Sequence, residues 1–147
     1  MKIKILSALL LVFAFTMSGC GNAPTTVPSA QPPAVEDQAS FLAALQAANA
    51  TAEIGDFVIQ DFFSPEGTII TINGQDVQVF EYESAEAMEN EASQVAPDGG
   101  SVGTSIMMWM DAPHFYKTGR MIVLYVGSDE STVNLLQQVI GSQFAGQ

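Results

Sequence analysis

The sequence predicts an α+β domain: an antiparallel sheet built from two hairpin–helix (ββα) units, with an extra N-terminal helix, in two layers. Three observations predict it. Asn73-Gly74 separates two strand-like runs, Thr68–Ile72 and Gln75–Tyr82, and Asn-Gly accepts the positive φ angles of the tightest hairpin turn. A stretch running from Thr71, TINGQDVQVFEYESAEAM, lies without a gap over YKTGRMIVLYVGSDESTV, 45 residues later. In both copies a capping residue, Ser84 or Asp129, follows the hairpin and opens a segment of helical apolar spacing.

The elements follow in order. Asp37 caps a helix over Gln38–Asn49, with Phe41, Leu42, Leu45 and Ala48 on one face. Ile54–Phe63 is apolar and mixed, a strand with an irregular end, and Ser64-Pro65-Glu66-Gly67 is a turn. In the first hairpin Ile70, Ile72, Val77 and Val79 share one face, and Ile69, Thr71, Gln78 and Phe80 the other. Ser84 caps Ala85–Val95, with Met88, Ala92 and Val95 inward, and Pro97-Asp98-Gly99-Gly100 stops it. Ser105–Met110 reads as a strand. The second hairpin runs from His114–Lys117 through Thr118-Gly119 to Arg120–Gly127. Superposing the repeats matches Val77 to Ile122, Val79 to Leu124 and Phe80 to Tyr125. Phe115, Ile122, Leu124 and Val126 then continue the inner face, and His114, Tyr116, Met121, Val123 and Tyr125 lie opposite. The last helix, capped by Asp129, turns Val133, Leu136, Val139 or Ile140, and Phe144 inward.

Residues 1–20, MKIKILSALLLVFAFTMSGC, begin with Lys2 and Lys4 and continue with an apolar run too short to span a bilayer. Small residues, Ser18-Gly19, stand directly before Cys20. This resembles the bacterial lipobox, an aliphatic residue, two small residues and an invariant Cys, with Met17 where Leu is usual. The resemblance implies cleavage before Cys20 and acyl chains, palmitate among them, on its thiol. Stable anchoring takes more than one hydrophobic signal, and two or three acyl chains supply that. Residues 21–35 hold four prolines and almost no bulky apolar side chain, the composition of a semi-extended tether. The expected organisation is a lipoprotein signal peptide over 1–19, the lipidated Cys20 and tether over 20–36, and one domain over 37–147. The expected location is extracytoplasmic, lipid-anchored to the cell membrane, with inner and outer leaflet both open.

Charge and composition exclude several functions. After Cys20 only Lys117 and Arg120 stand against 16 acids, a formal charge of −14. Nucleic-acid binding needs a basic surface to displace counterions, and none exists here. One Cys forbids an internal disulfide, and one Cys and one His leave few ligands for zinc. Asp98-Gly99-Gly100-Ser101 is too sparse for a calcium loop. No G-x-S-x-G elbow is present, and nothing singles out a glycosidase-like pair among the acids. No catalytic residue is assigned and no cofactor is implied apart from the lipid on Cys20.

The distinctive stretch is Met107–Tyr116, which holds three methionines, the single Trp and the single His. Met and Trp in a strand are ordinarily core, since Met fills irregular gaps. Two functional readings stand beside that one. Met108, Met110 and His114 are ligand types suited to Cu(I), and strand geometry puts both methionines on one face. Alternatively Trp109, His114, Tyr116 and Tyr125 contribute to an aromatic sheet face that binds a small molecule or an envelope protein, if helices cover only the other face.

The stretches INGQDVQVFEY and APHFYKTGRMIVLYVG, behind a lipobox, resemble a group of small, uncharacterised bacterial lipoproteins. The resemblance implies lipoprotein status and carries no activity with it. The function expected is a membrane-anchored, non-enzymatic binding or envelope-interaction module, with Cu(I) binding as the alternative and a hydrolase without an identifiable site as the third reading.

Overall fold

The computed structural model describes residues 34–147. The expected signal peptide, Cys20 and the tether up to Pro33 lie outside the described residues. In chain order the elements are α1 (Gln38–Ala47), β1 (Ala52–Val58), β2 (Gly67–Ile72), β3 (Gln75–Glu81), α2 (Ala85–Ala92), β4 (Ser101–Val102), β5 (Ser105–Ile106), β6 (Pro113–Thr118), β7 (Met121–Val126), α3 (Glu130–Ile140) and β8 (Ala145–Gly146). Six strands form one antiparallel sheet in the order β1-β2-β3-β7-β6-β8, and β4-β5 form a small separate hairpin. The α+β class is therefore as the sequence predicts.

Local signals set the local geometry. Asn73 and Gly74 take φ of 49° and 87°, as a type I′ turn requires, and the register is Ile72 opposite Gln75 and Ile70 opposite Val77. Each helix begins at an acceptor side chain: Asp37 to the Ser40 amide, Ser84 to the Ala87 amide, Asp129 to the Thr132 amide. The second hairpin turns at Gly119-Arg120, with Thr118 opposite Met121, one residue beyond the expected centre. Gly119 has φ of 54°, and a side chain there would run into the backbone of Glu36.

The sheet is covered on both faces, so the expected two layers are three. On one face α1 and α3 enclose Phe41, Leu45, Ile70, Ile72, Val77, Val79, Tyr116, Met121, Val123, Tyr125 and Leu136. On the other, α2 and the segments around Phe63, Val102 and Ala145 enclose Phe80, Tyr82, Met88, Phe115, Ile122 and Leu124. The cause is the central β3–β7 register. Val77 lies opposite Tyr125, Val79 opposite Val123 and Phe80 opposite Ile122. Superposing the repeats predicted the opposite assignment, with Ile122 and Leu124 on the face of Val77 and Val79.

Three further expectations change. Ser105–Met110 is a strand only over Ser105–Ile106; Met107–Met110 has no regular structure. Phe144 lies beyond the end of α3 and packs with Phe115 on the α2 face, because Gly141 at φ of 94° ends the helix. Packing also starts before Asp37: Val35 is buried in the α1/α3 cluster, its carbonyl accepts from Thr118 Oγ1, and the Glu36 carbonyl accepts from the Arg120 amide.

Candidate functional site

The aromatic face does not survive folding. Tyr116 and Tyr125 are buried with Val123 beneath α1 and α3, so the face they share is not open. Tyr116 is enclosed so fully that its hydroxyl has no hydrogen-bond partner among the described residues, and burial pushes its pKa up to about 12. Trp109 packs edge-on against Phe62 and Phe115 on the α2 face and donates from Nε1 to the Gly99 carbonyl at 2.7 Å. It is a half-buried anchor for the Met107–Asp111 loop.

The three Cu(I) candidates are not alike in setting. Trp109 turns inward and its neighbours turn out: Met108 and Met110 are 95% and 98% exposed. His114 is 7% exposed and both ring nitrogens are engaged. Nδ1 lies 2.8 Å from Gln143 Oε1 and Nε2 lies 3.1 Å from the Gly127 carbonyl oxygen. A neutral ring satisfies both when Nε2–H donates to Gly127 and the Gln143 amide turns its NH₂ toward Nδ1. As placed, His114 offers no free nitrogen to a metal held by the two exposed thioethers. Among the described residues no group of three or more His, Cys, Asp and Glu side chains converges on a metal site.

His114 nevertheless lines a cleft of about 440 Å³, with Ala112, Ser128, Glu130, Val133 and Asn134. The strands and helix explain its location. His114 sits at the start of β6, opposite Tyr125 near the end of β7, and the two rings stack at 5.8 Å and 18°. The chain leaves β7 through Gly127, where a Cβ would strike the Tyr125 ring. It then reaches Asp129, whose amide donates to the Tyr125 hydroxyl at 3.2 Å, and enters α3. The Tyr125 hydroxyl in turn donates to Gln75 Oε1 at 3.3 Å, which ties the cleft to the Asn73-Gly74 end of the sheet.

The cleft's chemistry is that of an acceptor site. Glu130 contributes a carboxylate, and Ser128 Oγ donates to Asp111 Oδ2 at 3.1 Å just outside the lining. Neither acid takes part in an ion pair among the described residues. Asp129 itself is engaged by capping, and the Thr132 hydroxyl and amide, with the Ser131 hydroxyl, hold its carboxyl below the usual carboxylate range. Val133 and Ala112 add apolar wall. Such a lining fits a small ligand with a cationic or donor-rich head and a short apolar body. Ser128 Oγ donates to Asp111, and the His114 nitrogens are engaged by Gln143 and Gly127, so Ser128 and His114 do not pair with each other.

Sequence reasoning singled out His114 and missed Ser128, Glu130, Asn134 and Asp111. One signal was available: Gly127-Ser128-Asp129-Glu130 is a polar break between a strand and a capped helix, the kind of junction where clefts open. Compared with family models, curated proteins and solved structures, the chain matches none.

Proposed function

We propose that this chain is a lipid-anchored extracytoplasmic protein whose domain binds a ligand or envelope partner without catalysing a reaction, and that the His114 cleft is its ligand-accepting part. The polarity of the domain carries the proposal. Val35 and Glu36 bring the chain into the domain against the Thr118–Arg120 turn. Lys117 and Arg120 stand at that same end, paired with Glu89 and with Asp37 and Glu81. The cleft lies at the opposite end of β6, about 17 Å away at strand rise. The chain thus enters the domain at its cation-bearing end, and the acceptor-lined cleft lies at the other. Lipidation also disposes of the sole thiol, so ligand recognition falls to carboxylate, amide and hydroxyl groups.

Two measurements test this. The full chain expressed in bacteria is expected to incorporate an alkynyl palmitate label and to fractionate with membranes, and Cys20→Ala to do neither. A parent protein that is unlabelled and soluble would sink the anchor. Separately, spermidine as a cationic probe is expected to raise the melting temperature of the parent and to leave that of Glu130→Gln unchanged. Equal shifts in both would remove the cleft.

A further inference from the structure

The outer strand of the sheet has a surface that the cleft does not involve. β1 is an end strand, paired only with β2. Its register breaks between Ile54 and Phe57, where Gly55-Asp56 form a bulge. The bulge changes which residues are exposed together. Ile54 pairs with Ile70 and Phe57 with Thr68, and those two β2 partners lie on one face, so Ile54 and Phe57 do as well. Ile54 is 60% exposed, Phe57 73%, and Ile59, just past the strand, 75%. Large apolar side chains at this density are unusual on an edge that also offers unpaired backbone N–H and C=O groups.

The charge around them has one sign. Glu53 and Asp56 lie on β1, Asp61 follows it, and Asp76 lies two strands in, hydrogen-bonded by the Thr71 hydroxyl at 2.7 Å. None of these four takes part in an ion pair among the described residues. The two cations among the described residues, Lys117 and Arg120, are already tied to acids at the far side of the sheet. A bulge and like charges are what proteins use to stop edges pairing with themselves, and here that protection depends on sign. A second copy would bring its own Glu53 and Asp56 against these. A basic strand would meet no such barrier.

We propose that β1 is a docking edge for an extended, cationic, amphipathic segment of another protein, which adds to the sheet as a further strand. Its backbone pairs with the runs on either side of the bulge. Its apolar side chains cover Ile54 and Phe57, and its Lys or Arg side chains reach Glu53 and Asp56.

The test uses the full chain and two short synthetic peptides, one alternating Val and Lys, the other Val and Glu. Fluorescence polarisation reads affinity and amide hydrogen exchange reads location. The Val-Lys peptide is expected to bind, to slow exchange over Ala52–Ile59, and to weaken as salt rises. Glu53→Lys/Asp56→Lys and Phe57→Ser are each expected to lower its affinity by about tenfold or more, and Glu130→Gln to leave it unchanged. Circular dichroism checks that the edge variants stay folded; Ile54 and Phe57 are exposed enough for this to be expected. Absent binding, equal binding of both peptides, or protection away from β1 overturns the proposal. So does a dimer in sedimentation that Phe57→Ser dissociates, which would assign the edge to a second copy. Vesicle binding abolished by Phe57→Ser, without peptide binding, would assign it to lipid and overturn it equally.

Discussion

Val79 lies opposite Val123 across the β3–β7 junction, at the centre of the six-stranded sheet. That pairing puts Val77 and Val79 on the face of Tyr125 and Val123, beneath α1 and α3, and puts Phe80 with Ile122 beneath α2. Each hairpin thus sends its following helix to the opposite face. The two strands at the junction run antiparallel and the strand order reverses across it. With the helices also on opposite faces, the two ββα units are mirror-related in helix placement, and no rotation superimposes both hairpin and helix. The two turns differ, Asn73-Gly74 against Gly119-Arg120, one residue out of step, so the likeness of the two stretches is confined to the hairpin pattern and to the caps Ser84 and Asp129.

Tyr116 gives the first prediction. Its ring fills the α1/α3 core while its hydroxyl is unpartnered among the described residues. A buried unmatched donor costs about 1–3 kcal/mol. Tyr116→Phe is expected to raise stability by on the order of 1 kcal/mol in urea unfolding. A loss of stability would mean that the hydroxyl has a partner.

Trp109 gives the second. Its Nε1–H bond to Gly99 and its contacts with Phe62 and Phe115 hold the loop that carries Met108 and Met110. Trp109→Phe keeps much of the apolar contact and removes the donor. Hydrogen exchange at the Met107 amide, which donates to the Gly100 carbonyl, is expected to quicken while the β6 and β7 amides hold. Unchanged exchange at Met107 would show that the loop does not depend on the indole.

Gly119 gives the third. A side chain there would strike the Glu36 backbone, and φ is positive. Gly119→Ala is expected to loosen Val35–Glu36 from the Thr118–Arg120 turn and to expose that segment to proteolysis. Cleavage before α1 at the parent rate would show that the entry of the chain does not rest on this contact.

Asp129 and Asp37 give the fourth. Both cap helices, and both carboxyls are held below the ordinary aspartate range: Asp129 first by the Thr132 hydroxyl, Asp37 first by the Ser40 amide. A folded pKa below the unfolded one stabilises the protein at pH above the unfolded value. That contribution is lost as pH falls through the folded value. Asp129→Asn, which can still accept from the Thr132 amide, is expected to flatten the acid limb of the stability profile below the ordinary aspartate range. An acid limb identical to the parent's would exclude Asp129 from it.

The local features are legible along the chain. Asn73-Gly74 sets its turn through allowed φ, Asp37, Ser84 and Asp129 set helix starts through the amides three residues on, and Phe41 and Leu45, or Met88 and Ala92, set which side of each helix is buried. The α+β class follows from those signals, and the choice of His114 from its being the single histidine. How the hairpins meet depends on contacts between strands far apart in the chain. Shifting the β3–β7 register by one residue exchanges every side chain between faces, and nothing near Val79 or Val123 in the chain specifies the other. That one long-range choice buried Tyr116 and Tyr125 and sent α2 and α3 to opposite faces. The β6–β7 hairpin brought Ser128 and Glu130 beside His114, and strand order left Ile54 and Phe57 on an open edge. Periodicity tells which residues share a face; pairing between strands far apart in the chain tells which face it is.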